Sequence, residues 1–235
     1  MKDVDALRVN YKKDGYALIR YDDGPVHSYP YDSPWIADDK FSTLYNKIRN
    51  NTLVDRHRCY SLYLLMDQIK DVPGDILEVG TWRGGTAGIF TYLMTKKIVY
   101  LADTFEGVVK SADWEHYKNG AHADTSEELV INFLRNDLGV DNFEILRGIF
   151  PEDTGHRIKD KKLSLVYLDL DVYLSTKDAF NFIWKNISQY GIVVFDDYGM
   201  LSACPGISKF VNEIKDDHDK IFLQNLNGQA YVIKK

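Results

Sequence analysis

The sequence predicts a doubly wound, Rossmann-like α/β fold: a mostly parallel sheet with helices on both faces and an antiparallel hairpin at its C-terminal end. Three observations lead there. From about Ile76 onward, short apolar runs alternate with longer helical patterns, the rhythm of parallel strands joined by crossover helices. Most of those runs are nearly continuously apolar, as strands covered on both faces require. Finally, Asn227-Gly228 lies between two strand-like runs, and both residue types tolerate the positive φ of a tight hairpin.

In chain order the expected strands are ILEVG (76–80), IVYLAD (98–103), FEILRG (143–148), LSLVYLD (163–169) and GIVVFDD (191–197). Helical patterns fall at SEELVINFLRNDLG (126–139), STKDAFNFIWKNI (175–187) and ISKFVNEIKDD (207–217). In the second of these, Ala179, Phe182, Ile183, Trp184 and Ile187 give an apolar face. The chain then closes through IFLQNLNGQAYVIKK. Its beginning differs: YALIRYDDGPVHSYPYDSPW is rich in Tyr, Asp, Gly and Pro and has no sustained period. Five tyrosines over residues 11–31 (Tyr11, Tyr16, Tyr21, Tyr29, Tyr31) give this N-terminal region aromatic surface to bury, so order is expected rather than a free tail. The division read from the sequence is an irregular or helical lid over 1–60 and a larger domain over 61–235.

Bulk properties narrow the function. With 235 residues, 45% of them hydrophobic, the chain can bury a substantial core. A net charge of −6 gives no basic face for nucleic acid. Cys59 and Cys204 are too few for a disulfide framework or a cysteine zinc site, and no apolar run is long enough for a membrane span. The N-terminus has no apolar signal core, so the expectation is a soluble, cytoplasmic protein.

The segment DILEVGTWRGGTAG (75–88) joins the first strand to a helix through Glu78-x-Gly80-x-x-x-Gly84-Gly85. Glycines there let the backbone turn tightly and approach a ligand, and the helix start offers free amides. Its spacing is neither that of a dinucleotide loop nor that of a triphosphate loop. Glu78 is a poor neighbour for pyrophosphate but a good one for a cationic, amino-bearing ligand such as S-adenosylmethionine. The second strand ends in Asp103, where a carboxylate can accept both ribose hydroxyl protons.

Two later strands end in acidic clusters, YLDLDVY (167–173) and VFDDYG (194–199). In a parallel sheet such ends share one edge, so Asp169, Asp196 and Asp197 converge. Three carboxylates packed together repel, and a hard cation such as Mg²⁺ relieves that repulsion. Zn²⁺ is less suited because His and Cys partners are not near in sequence. Capping of the following helices is the alternative for any one of these aspartates.

Together DILEVGTWRGGT, ADTFEG (102–107), RGIFPEDT (147–154), YLDLDVYLST (167–176) and GIVVFDDYG (191–199) resemble the macrocin and mycinamicin sugar O-methyltransferase family, which includes an enzyme methylating noviose. The resemblance covers about residues 55–215. It implies a class I methyltransferase sheet, S-adenosylmethionine, Mg²⁺-assisted transfer to a sugar hydroxyl, and a homo-oligomer. Asp169, Asp196 and Asp197 then look like metal ligands, and Asp171 like the general base. Glu78, Gly80, Thr81, Gly84, Thr86, Asp103 and Asp169 look like cofactor positions, with Gly148 and Phe150 flanking the adenine. His122, beside Asp124 on the AHADTSEEL segment (121–129), is a second candidate base. The rival readings are a catechol-type methyltransferase, which needs an apolar slot over the metal, and a cofactor-binding protein without catalysis.

Overall fold

The computed structural model describes residues 34–235. The chain divides into two units, Met1–Ala37 and Asp38–Lys235. Of the first unit, one helical turn is described, Pro34–Ala37. The lid expectation for residues 1–33, with its five tyrosines, lies outside the described residues.

In the second unit, two helices precede the sheet: α1 (Asp39–Ile48) and α2 (Arg56–Ile69). Each starts on an aspartate that caps free amides. Asp38 Oδ1 accepts from Phe41 N at 2.9 Å, and Asp55 Oδ1 accepts from His57 N at 2.8 Å and Arg58 N at 3.1 Å. The expected boundary at residue 60 falls inside α2, and residues 38–60 belong to the same unit as the sheet.

The strands are β1 (Asp75–Val79), β2 (Val99–Asp103), β3 (Phe143–Arg147), β4 (Leu163–Leu168), β5 (Ile187–Phe195), β6 (Lys220–Gln224) and β7 (Ala230–Lys234). They form one sheet in the order β3-β2-β1-β4-β5-β7-β6, parallel except for β7, which runs antiparallel to both β5 and β6. This is the predicted doubly wound sheet with its antiparallel end. Helices α3 (Gly85–Leu93), α4 (Glu127–Asn132), α5 (Tyr173–Ile183) and α6 (Pro205–Ile214) complete the fold. Leu77, Val79 and Leu168 share a core with Phe180 and Ile183 of α5 and Phe210 of α6. Alternation turns Glu78 and Tyr167 to the opposite face, where Tyr167 packs edge-on against Phe90 of α3.

Three expected boundaries shift for physical reasons. Strand β5 begins at Ile187, not Gly191, because Tyr190 adopts φ +64° and bends a strand that continues through it. The preceding helix therefore stops at Ile183, with a 3₁₀ turn at Trp184–Asn186. The helix expected over 126–139 is α-helical only to Asn132 and widens to a π turn at Phe133–Asp137. The hairpin loop spans the five residues between Gln224 and Ala230, and of the Asn-Gly pair only Gly228 takes positive φ.

Candidate active site

Register fixes the site. Val79 pairs with Ala102 and with Leu168, and Leu168 pairs with Phe195. The next residues, Gly80, Asp103, Asp169 and Asp196, therefore emerge together at the carboxyl edge, around the point where strand order reverses. A cavity of about 290 Å³ opens there, lined by Gly80, Thr81, Thr86, Asp103, Gly148, Phe150, Asp169, Asp171, Asp196 and Asp197 among others.

The β1–α3 turn is tied to β2 by Asp103. Its Oδ2 accepts from Thr81 N and Trp82 N, each at 2.8 Å, and its Oδ1 from Phe105 N at 2.7 Å. Burial raises this carboxyl's pKa against those three backbone hydrogen bonds. The carboxylate read for ribose thus also holds the loop, a role the sequence did not suggest. Gly80 has φ +94°, and a Cβ there would stand 1.8 Å from the Asp169 carbonyl oxygen. The need for glycine comes from the β4 backbone as well as from any ligand. Gly84 caps α3 at φ +83°, faces Val130 and is not in the cavity wall.

Glu78 also lies behind the wall, wholly buried, with Thr86 Oγ1 donating to its Oε1. Its Oε2 and the hydroxyl of Thr81 are buried without a hydrogen-bond partner among the described residues. Burial pushes the Glu78 carboxyl up to about 8, against the Thr86 hydrogen bond and with the charge of Asp103 adding to the rise. Orphaned oxygens beneath a glycine turn fit a ligand bearing an ammonium group.

The acidic cluster assembles as expected: Asp169, Asp196 and Asp197 bring carboxylate oxygens within 4.8 Å of one another. A buried arginine, absent from the sequence reading, meets them. Arg58 Nη1 donates to Asp197 Oδ1 at 3.0 Å and also to Asp196 Oδ2, while its Nε donates to Asp55 Oδ2 at 2.7 Å. Gln229 Nε2 donates to the other oxygen of Asp196 at 2.7 Å. Burial opposes the charge on Arg58, but Asp196 leads the groups that raise its pKa. Burial, then repulsion among neighbours, raises the carboxyls of Asp169 and Asp171; at Asp196 burial raises the value while Arg58 pulls it down. One guanidinium does not balance four carboxylates, so the oxygen set fits a hard divalent cation. A signal for Arg58 was present: it falls four residues before Leu62 on the stripe that α2 buries.

Asp171 has φ +63° and joins the cavity wall, where the Cys204 thiol donates to its Oδ1 at 3.6 Å. His122 is in the wall too, at φ +62°, its ring 4.8 Å from that of Tyr117. The segment bearing it is fastened to the cofactor turn: Trp82 Nε1 and Arg83 Nη2 donate to Asp124 at 3.0 and 2.7 Å. Asn51–Val54, Tyr117, Met200 and Cys204 line the cavity as well, and no motif pointed to them.

The family profile of macrocin O-methyltransferase (TylF) matches residues 44–225. The chain belongs to this family. It is 30% identical over 219 residues to 8-demethyl-8-(2,3-dimethoxy-alpha-L-rhamnosyl)-tetracenomycin-C 4'-O-methyltransferase of Streptomyces olivaceus, covering 86% of this chain and 83% of that protein. Mycinamicin III 3''-O-methyltransferase of Micromonospora griseorubida is 32% identical over 163 residues, 63% of this chain and 62% of that one. The structure of the O-methyltransferase NovP superposes with a TM-score of 0.65 at 26% identity, covering 79% of this chain and 82% of the other. This TylF-family chain is an S-adenosylmethionine-dependent O-methyltransferase. Among the described residues, no helix is long and apolar enough to cross a membrane.

Proposed function

We propose that this TylF-family enzyme methylates a hydroxyl of a sugar or glycoside, with Mg²⁺ at the carboxylate cluster. One observation carries the reading: a single cavity holds the glycine turn with Asp103 and the four carboxylates Asp169, Asp171, Asp196 and Asp197. The sugar comes from relatives named for rhamnosyl-tetracenomycin and mycinamicin substrates. Bound S-adenosylmethionine supplies the electrophilic methyl group, and bound Mg²⁺ supplies positive charge that makes a neighbouring hydroxyl more acidic.

The chain's own residues do the rest. Thr81 and Thr86 in the cavity wall, with Glu78 buried behind them and bonded to Thr86, take the ammonium end of the donor, Asp103 takes the ribose, and Gly148 and Phe150 bracket the base. Asp169, Asp196 and Asp197 hold the cation. Asp171 receives the acceptor hydroxyl's proton on Oδ2, because Cys204 engages its Oδ1. His122, second candidate for that role, shares the wall with Tyr117. Displacement needs donor carbon and acceptor oxygen in line, and the fastened 121–125 segment holds that side of the cavity in place.

The reading is tested by incubating the enzyme with isotope-labelled S-adenosylmethionine and a panel of deoxysugar glycosides, their aglycones and catechols. Label on a sugar hydroxyl is the expected product. Label confined to aromatic diols assigns the enzyme to the catechol-type reaction instead.

A further inference from the structure

Helix α2 carries a cation where its pattern calls for an apolar residue. Arg58 lies on the stripe that buries Cys59, Leu62, Met66 and Ile69, and is itself only 6% exposed. A guanidinium leaves water only where partners replace it. Those partners are Asp55, Asp196 and Asp197, the last two at the end of β5. Asp55 is immobilised as the cap of α2, accepting from two backbone amides with one oxygen and from Arg58 Nε with the other. The helix cap thus aims the arginine at the cluster. Between Arg58 and Gln229, both oxygens of Asp196 are engaged by protein donors.

From this geometry we infer that Arg58 is a positioning residue: its guanidinium holds Asp196 and Asp197 in place without a divalent cation and competes with one that arrives. The inference rests on Asp169, Asp196 and Asp197 being the cation's ligands. One guanidinium offsets one of up to four negative charges, so attraction for a divalent ion remains. The oxygens it occupies on Asp196 and Asp197 must be shared or released when the ion binds. Cation binding is therefore weaker and more readily reversed than the same carboxylates alone would give.

The test pairs Mn²⁺ binding, followed by electron paramagnetic resonance, with thermal midpoints in EDTA and in excess Mg²⁺. Wild type is compared with Arg58→Met, which keeps bulk without charge, and Arg58→Lys, which keeps charge without the forked geometry. Arg58→Met is expected to bind Mn²⁺ at least about tenfold more tightly. Its midpoint should fall in EDTA and rise with Mg²⁺ by more than the wild type's does, with Arg58→Lys between the two. The lysine variant carries the comparison if the methionine variant folds only with metal. Wild-type binding that is unchanged or weakened in the variants overturns the inference and leaves the ligand assignment standing. Mn²⁺ bound by Arg58→Met but not by wild type supports the competition and removes the cation from the native reaction. Mn²⁺ bound by neither overturns both.

Discussion

At the scale of single residues, Asp171 and Gly80 make opposite predictions. Asp171→Asn keeps the shape and the Cys204 contact but cannot take a proton, so turnover should drop on the order of 10²–10⁴-fold. Calorimetry should find S-adenosylmethionine affinity nearly unchanged in that variant; a parallel loss of affinity would make Asp171 a binding group. Gly80→Ala should instead damage the fold, since even a methyl meets the Asp169 carbonyl at 1.8 Å on a backbone of φ +94°. A low expression yield or a large fall in thermal midpoint is expected, and a stable variant that has lost only cofactor affinity would contradict it. The acidic residues were legible in the sequence because strand-end aspartates announce themselves against apolar runs. Arg58 carried only a weaker signal, its spacing from Leu62, because an arginine near a helix start reads as a solvated charge until the burial of Leu62, Met66 and Ile69 shows which face it shares.

At the scale of elements, α2 links helix capping to the cluster. Asp55→Ala removes the cap and one of the restraints on Arg58, so it should cost about 0.5–2 kcal/mol from the cap alone, and more if the guanidinium loosens. Chemical denaturation measures this; Asp55→Asn, which still caps, should lose less, and equal losses would mean that the cap contributes nothing and the whole loss comes from the carboxylate's pairing with Arg58. The strands were readable because both faces are covered. What was not readable was local: Gly191 looked like a strand start but follows a bend at Tyr190, φ +64°, inside β5, and the π turn at Phe133–Asp137 has the composition of an ordinary helix. The boundary at residue 60 falls inside α2 because 39–60 carries exposed charges such as Asp39, Lys40 and Lys47 that mask the face burying Phe41, Leu44 and Ile48.

For the whole molecule, the buried Glu78 couples stability to pH. Its pKa lies near 8 in the folded chain against an ordinary value of 4.5. Below the ordinary value both states are protonated; between the two values only the folded state keeps the proton, so stability falls as pH rises through that window. The cofactor-free wild type should lose midpoint relative to Glu78→Gln from pH 5 to pH 8, whereas parallel profiles would contradict a buried, proton-bearing Glu78. On the same scale, the reaction claimed for this molecule depends on a cation held by carboxylates from β4 and β5. The most direct measurement is methyl transfer by enzyme stripped with EDTA, with and without Mg²⁺ added back, alongside S-adenosylmethionine binding by the stripped enzyme. Stripped enzyme should still bind S-adenosylmethionine, transfer no methyl group, and recover on addition of Mg²⁺; full turnover by the metal-free enzyme would contradict a catalytic cation.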